Sequence, residues 1–147
     1  MFKHILIPTD GSKLSNEAAE AGVRLAKALG ARVTAVFAAP PATPIVYKAM
    51  LPVGYGTTGE HKKAIERAAA ACLGAVEKAA RAARVPCETL TVTSDYPADA
   101  ILATAKRRRC DLVFMASRGH RGLKGALLGS ETQKVLTHSK VPVLVCR

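Results

Sequence analysis

The amino-acid sequence predicts an α/β domain: a Rossmann-like, doubly wound sheet of five parallel strands in the order 3-2-1-4-5, with helices on both faces. Three observations lead there. Short apolar runs alternate with stretches of helical periodicity from one end of the chain to the other. Strands alternating with helices are joined by right-handed crossovers, which makes the sheet parallel. The chain has 147 residues, 49% of them hydrophobic, so residues 1–147 read as one domain able to bury a core without staples.

The elements follow in order. "HILIPTD" (His4–Asp10) is a short apolar run ending in a turn at Gly11. Leu14, Ala18, Ala21, Leu25 and Ala28 then recur at steps of three and four, one face of a helix, and Gly30 stands where a terminating glycine belongs. "RVTAVFAA" (Arg32–Ala39) is the second strand. Pro40–Gly59 breaks the rhythm with prolines and glycines, and so long an irregular segment is usually functional or mobile. Helical spacing returns from Glu60 to Arg84, followed by a third strand, "CETLTVT" (Cys87–Thr93). Pro97 suits the first turn of a third helix with Ile101, Leu102 and Ala105 on its apolar face. "DLVFMA" (Asp111–Ala116) is the fourth strand, Ser130–His138 a short helix, and "KVPVLVCR" (Lys140–Arg147) the fifth strand.

Composition narrows the classes of function. No apolar run approaches the roughly 20 residues of a membrane span, and the N-terminal stretch lacks a signal-peptide h-region. A cytoplasmic protein is expected. Cys72, Cys87, Cys110 and Cys146 lie far apart in no metal-ligand or redox spacing, which suits reduced packing residues. The formal net charge is +11, compatible with nucleic acid, an acidic surface or an anionic small ligand. Aromatic residues make up only 4% of the chain, too few for a single-strand stacking platform. The densest basic run, "KRRR" (Lys106–Arg109), ends a predicted helix, where cations complement the dipole. Nucleic acid is therefore not expected as a partner on this reading.

The stretch "MASRGHRGLKGALLGSETQKVL" (Met115–Leu136) crowds Gly119, Gly122, Gly125 and Gly129 among basic residues. In a doubly wound sheet, ligands sit outside the carboxyl ends of the strands where the order reverses. That point brings together "PTDG" (Pro8–Gly11) and the glycine loop. Glycines let backbone N–H groups approach an anion, and Ser130 opens a helix whose N-terminus favours negative charge. Arg118, His120, Arg121 and Lys124 supply nearby charge or face water. Neither GxxxxGK[ST] nor GxGxxG is matched, so the glycines alone fit either a phosphate cradle or a mobile loop.

The segments "HILIPTDGS", "YPADAIL" and "DLVFMASRGHRGLKGALLGSETQKVLTHSKVPVLV", with the βαβ layout between them, resemble the universal stress protein family over the whole chain. Its ATP-binding members carry G-x2-G-x9-G-[ST]; here the positions are Ala116, Gly119, Gly129 and Ser130, with alanine in place of the first glycine. In extended backbone an alanine fits at little cost; at positive φ it would impair binding. The resemblance implies an adenine nucleotide, ATP or AMP, with or without Mg2+. Pro8, Thr9 and Asp10 would border it, with Ala38 beside the adenine through its backbone. Met115 and Ala116 would flank the adenosine, and Gly119, Gly129, Ser130 and the amide of Glu131 would surround ribose and phosphates. Asp10 would accept from ribose hydroxyls or face a metal; its alternative role is to cap the turn into the first helix with Ser12. The Glu131 carboxylate would complement the dipole at its own helix start.

No catalytic set is evident. His4, His61, His120 and His138 are scattered, and neither HExxH nor GxSxG occurs. The resemblance implies a nucleotide-binding stress or regulatory protein with at most slow hydrolysis, and a homodimer through antiparallel pairing of the last strand. An edge strand there would in any case invite a partner. The other readings are a family member that binds no nucleotide and acts through dimer contacts, and a basic nucleic-acid-associated protein.

Overall fold

The computed structural model describes residues 1–41, 58–120, 122, 125 and 127–147. The elements are β1 (His4–Pro8), α1 (Lys13–Leu29), β2 (Arg32–Ala39), α2 (Thr58–Ala83), β3 (Cys87–Thr93), α3 (Pro97–Arg108), β4 (Leu112–Ala116), α4 (Ser130–His138) and β5 (Val143–Cys146). The sheet runs β3-β2-β1-β4-β5 with every neighbouring pair parallel, as the alternation predicts. Of the irregular segment Pro40–Gly59, residues 42–57 lie outside the described residues.

Alternation along the strands splits the core in two. Ile5 and Ile7 of β1 and Phe114 of β4 pack with Ala18, Val23, Leu73 and Val76 beneath α1 and α2. Leu6, Val113 and Met115 point to the other face and pack with Ile101, Ala105 and Val135 of α3 and α4. Gly22 lets α1 lie close on the sheet, since a Cβ there would come within 2.8 Å of the Ile7 Cδ1 and 3.2 Å of the Phe114 ring.

Three helices stop in the same way. After α1, α2 and α3 the chain turns through a left-handed residue: Gly30 at φ 64°, Arg84 at φ 58° and Arg109 at φ 55°. In each case the next amide reaches back to the last turn, from Ala31 to Ala26, Val85 to Ala80 and Cys110 to Ala105. This double-bonded stop favours glycine, because a Cβ is strained at positive φ. Two of the three positions hold arginine.

The predicted boundaries differ at the ends. The helix expected from Glu60 begins at Thr58. The fourth strand starts at Leu112 because Asp111 turns its carboxylate to the Lys3 and His4 amides, at 2.8 and 3.0 Å. The fifth strand begins at Val143, since Pro142 has no N–H to ladder and Ser139 Oγ holds a turn with the amide and carbonyl of Val141.

Candidate functional site

The site is built where β1 and β4 end. Their pairing is confined to Ile5–Leu112 and Leu6–Val113, so their carboxyl ends are not laddered together. After β1 the chain makes a compact turn. The Thr9 hydroxyl accepts from Gly11 N–H at 3.3 Å and from the Ser15 hydroxyl at 3.2 Å. Asp10 Oδ1 accepts from Ser12 N–H at 3.0 Å. Ser12 Oγ in turn accepts from Ser15 N–H and caps α1, while Gly11 sits at φ 79°.

The second carboxylate oxygen of Asp10 reaches across to the glycine loop and accepts from His120 N–H at 2.8 Å. Burial works to raise the Asp10 pKa, but the Ser12 and His120 donors outweigh it and hold the group below the usual carboxylate value. Gly119 is the position that permits this approach, because a Cβ there would run into Asp10 Oδ2. The far end of the loop is fixed on β4: Gly129 N–H donates to the Ser117 carbonyl at 2.7 Å, and Ser117 N–H donates to Cys146 O at 2.7 Å. Thr132 Oγ1 donates to the Ala116 carbonyl at 3.1 Å.

The helix starts at this end of the sheet differ in one respect. Ser12 caps α1. α3 opens with Pro97, which has no donor, and its Ala98 N–H donates to Glu131 Oε2 at 2.8 Å. α4 opens at Gly129, with no side chain capping it. Its first-turn amides, Ser130 to Thr132, have no acceptor among the described residues and are the orphan donors that an anion satisfies.

The residues expected at the site therefore fall into groups. Asp10, Gly119, Gly129 and Ser130 come together around the two loops. Pro8 is half-buried at the end of β1, and Ala38 lies farther out on β2, paired with Val92. The Met115 side chain is buried beneath α3 and α4, so it does not face the β1 and β4 loops. Ala116 has no positive φ and its methyl packs in the α1/α2 core, so alanine sits there without the strain that a left-handed backbone would impose. The Glu131 carboxylate stands in the first turn of its own helix and also reaches outside it: Oε2 accepts from Ala98 N–H and caps α3, while Oε1 meets Lys134 Nζ at 3.0 Å. Arg118 and His120 are exposed, while Arg121 and Lys124 lie outside the described residues. The His120 amide, Ser117 and Thr132 were not singled out from the sequence, and only the Asp10–Ser12 spacing hints at such a network.

A groove of about 730 Å3 runs between α2 and β3, lined by Ile65, Ala69, Leu73, Thr89, Thr91 and Thr93 among others. It includes neither Asp10 nor the start of α4, so it is separate from the loops that follow β1 and β4.

The universal stress protein family model matches residues 1–147. The chain belongs to this family. A curated relative, universal stress protein MJ0531 of Methanocaldococcus jannaschii, is 32% identical over 147 residues, covering 100% of this chain and 83% of that protein. Among solved structures, the protein MJ0577 superposes with a TM-score of 0.77 at 25% identity, over 99% of this chain and 95% of its own. A universal stress protein in complex with cAMP gives a TM-score of 0.72 at 23% identity, over 99% and 97%. An Arabidopsis thaliana family member with AMP bound gives 0.68 at 16%, over 97% and 90%. The last two likenesses concern the fold.

Proposed function

We propose that this universal stress protein binds an adenine nucleotide, AMP or ATP, as a regulatory ligand. The observation that carries the reading is the uncapped start of α4, whose first-turn amides lie at the switch point of the sheet beside the Asp10–His120 tie. The phosphate would sit on the amides of Ser130, Glu131 and Thr132, with Gly119 and Gly129 allowing the backbone to approach. Pro8, Thr9 and Asp10 would border the ribose from β1, and the backbones of Ala38, Met115 and Ala116 would flank the base. That fold neighbours are solved with cAMP and with AMP supports the choice of ligand.

Among the described residues no group of three or more metal-ligating side chains could hold a cation, so Mg2+ would arrive with a triphosphate. No described constellation supplies a positioned base, and binding with at most slow hydrolysis is the proposed activity. Homodimerisation through β5 is part of the proposal: Leu136 and Leu144 are 41% and 39% exposed beside that edge. So is a cytoplasmic location, which four free thiols suit; no helix among the described residues is long and apolar enough to cross a membrane. Isothermal titration with AMP, ATP and Mg2+-ATP tests the reading. No heat at millimolar nucleotide would leave a family member that works through dimer contacts alone.

A further inference from the structure

Parallel topology sends every strand start and every helix end to the pole opposite the nucleotide crevice. A cation stands at the head of each strand. In sheet order these are Arg84 before β3, Arg32 opening β2, Lys3 before β1, Arg109 before β4 and Lys140 before β5. All five are exposed, and none pairs with a carboxylate among the described residues. Acids at this end are already engaged: Glu88 with Arg108 at 3.0 Å, Glu77 with Arg81 at 3.4 Å, and Asp111 with the Lys3 and His4 amides. Four helix ends supply only about −2 of partial charge together, less than the row carries. With strands about 4.8 Å apart, the row spans about 19 Å.

The "KRRR" run alone reads as a solvated helix end, but the row is assembled from positions far apart in sequence. Arg84 and Arg109 also occupy the left-handed stops where glycine is the unstrained residue. Strain held at a charged, exposed position points to a use for the charge. Among the described residues, Met1 and Leu136, the latter in the last turn of α4, are the exposed large apolar side chains toward this pole, which gives little to insert into a bilayer. Arginine forks suit phosphate oxygens.

We infer that this pole docks on the phosphate backbone of a nucleic-acid duplex, without reading its sequence, through the cation row of Arg84, Arg32, Lys3, Arg109 and Lys140. The test is fluorescence anisotropy with a labelled mixed-sequence DNA duplex of about 20 base pairs, titrated between about 50 and about 200 mM salt. The expected plot of log K against log salt has a slope of about −4 to −5, for five phosphates at about −0.9 each. The double variant Arg84→Gly/Arg109→Gly removes two charges while giving each helix stop its preferred residue, so it folds with an unchanged or higher Tm. Its slope is expected to become shallower by about 1.8, with affinity lowered about tenfold or more at low salt. A control, Lys63→Gln/Arg67→Gln, removes the same charge from the α2 surface and is expected to leave binding within about twofold. Equal losses in the two double variants would mean attraction by net charge alone and overturn the inference. So would an unchanged slope in the glycine variant, or binding to phosphatidylserine vesicles with none to the duplex.

Discussion

The Asp10 carboxylate accepts from the backbone N–H of His120 at 2.8 Å, tying together two loops that lie 110 residues apart in sequence. The same carboxylate takes Ser12 N–H on its other oxygen. Asp10→Ala leaves both donors without this partner. It should lower stability by about 1–2 kcal/mol, since charge-assisted hydrogen bonds are partly compensated by water at a half-buried site. AMP affinity should fall about tenfold as the loop loses its anchor, with Asp10→Asn intermediate. Urea unfolding and calorimetric titration check the two effects separately.

Gly119→Ala places a Cβ against Asp10 Oδ2 and must push the loop away. Because the clash is confined to an exposed loop, Tm should change by no more than about 2 °C, while AMP binding weakens tenfold or more. A loss of Tm with unchanged affinity would show that Gly119 serves folding, not the ligand.

Ala116 is extended and its methyl lies in the core, so restoring the family's glycine should not strengthen binding. Ala116→Gly is expected to keep AMP affinity within about threefold and to cost about 1 kcal/mol of stability, through backbone entropy and lost packing. An affinity gain above tenfold in the titration would contradict this account of the motif's departure.

The Glu131 carboxylate caps α3 through Ala98 N–H, while only its backbone amide is proposed to meet the ligand. Glu131→Ala should destabilise the fold by about 1 kcal/mol by leaving Ala98 N–H uncapped, and should leave AMP affinity unchanged or slightly raised, because a carboxylate near the phosphate has gone. Chemical denaturation and titration of one sample distinguish this from a direct ligand contact, which would lower affinity.

His4 is buried with Nε2 2.7 Å from Thr34 Oγ1. Burial, followed by the nearby Arg32 charge, lowers its pKa below the ordinary 6.5. The unfolded chain then binds the proton more readily than the folded one, so stability is full above the unfolded value of about 6.5 and declines as pH falls below it. His4→Gln, which keeps a polar group toward Thr34, should flatten that decline between about pH 6.5 and pH 5 in urea midpoints.

Most of the fold was legible because its signals are local. Arg32–Ala39 and Cys87–Thr93 are bounded by Gly30 and by Pro86, and both strands fall where they were expected. The fifth strand came out shorter because Ser139 and Pro142 impose a turn that apolar content does not reveal. At the site, the glycines and Ser130 were legible from their place before a helix. The Asp10–His120 tie and the Glu131–Ala98 cap were not, because each joins elements that only the tertiary fold brings together. The basic row was invisible for the same reason: its members are single residues until parallel topology lines them up.

That topology also fixes how the two ends of the molecule can influence each other. β2 alone is eight residues long, about 26 Å at the usual rise, whereas the Debye length in physiological salt is about 8 Å. An anion held at the α4 start and another lying across the strand heads would be screened from each other by several such lengths. The two could be occupied together with little Coulombic penalty. Any communication between them would have to travel mechanically, through elements that reach both ends: α4, which runs from the Ser130 amides to just before Lys140, and α3, capped by Glu131 at one end and stopped by Arg109 at the other.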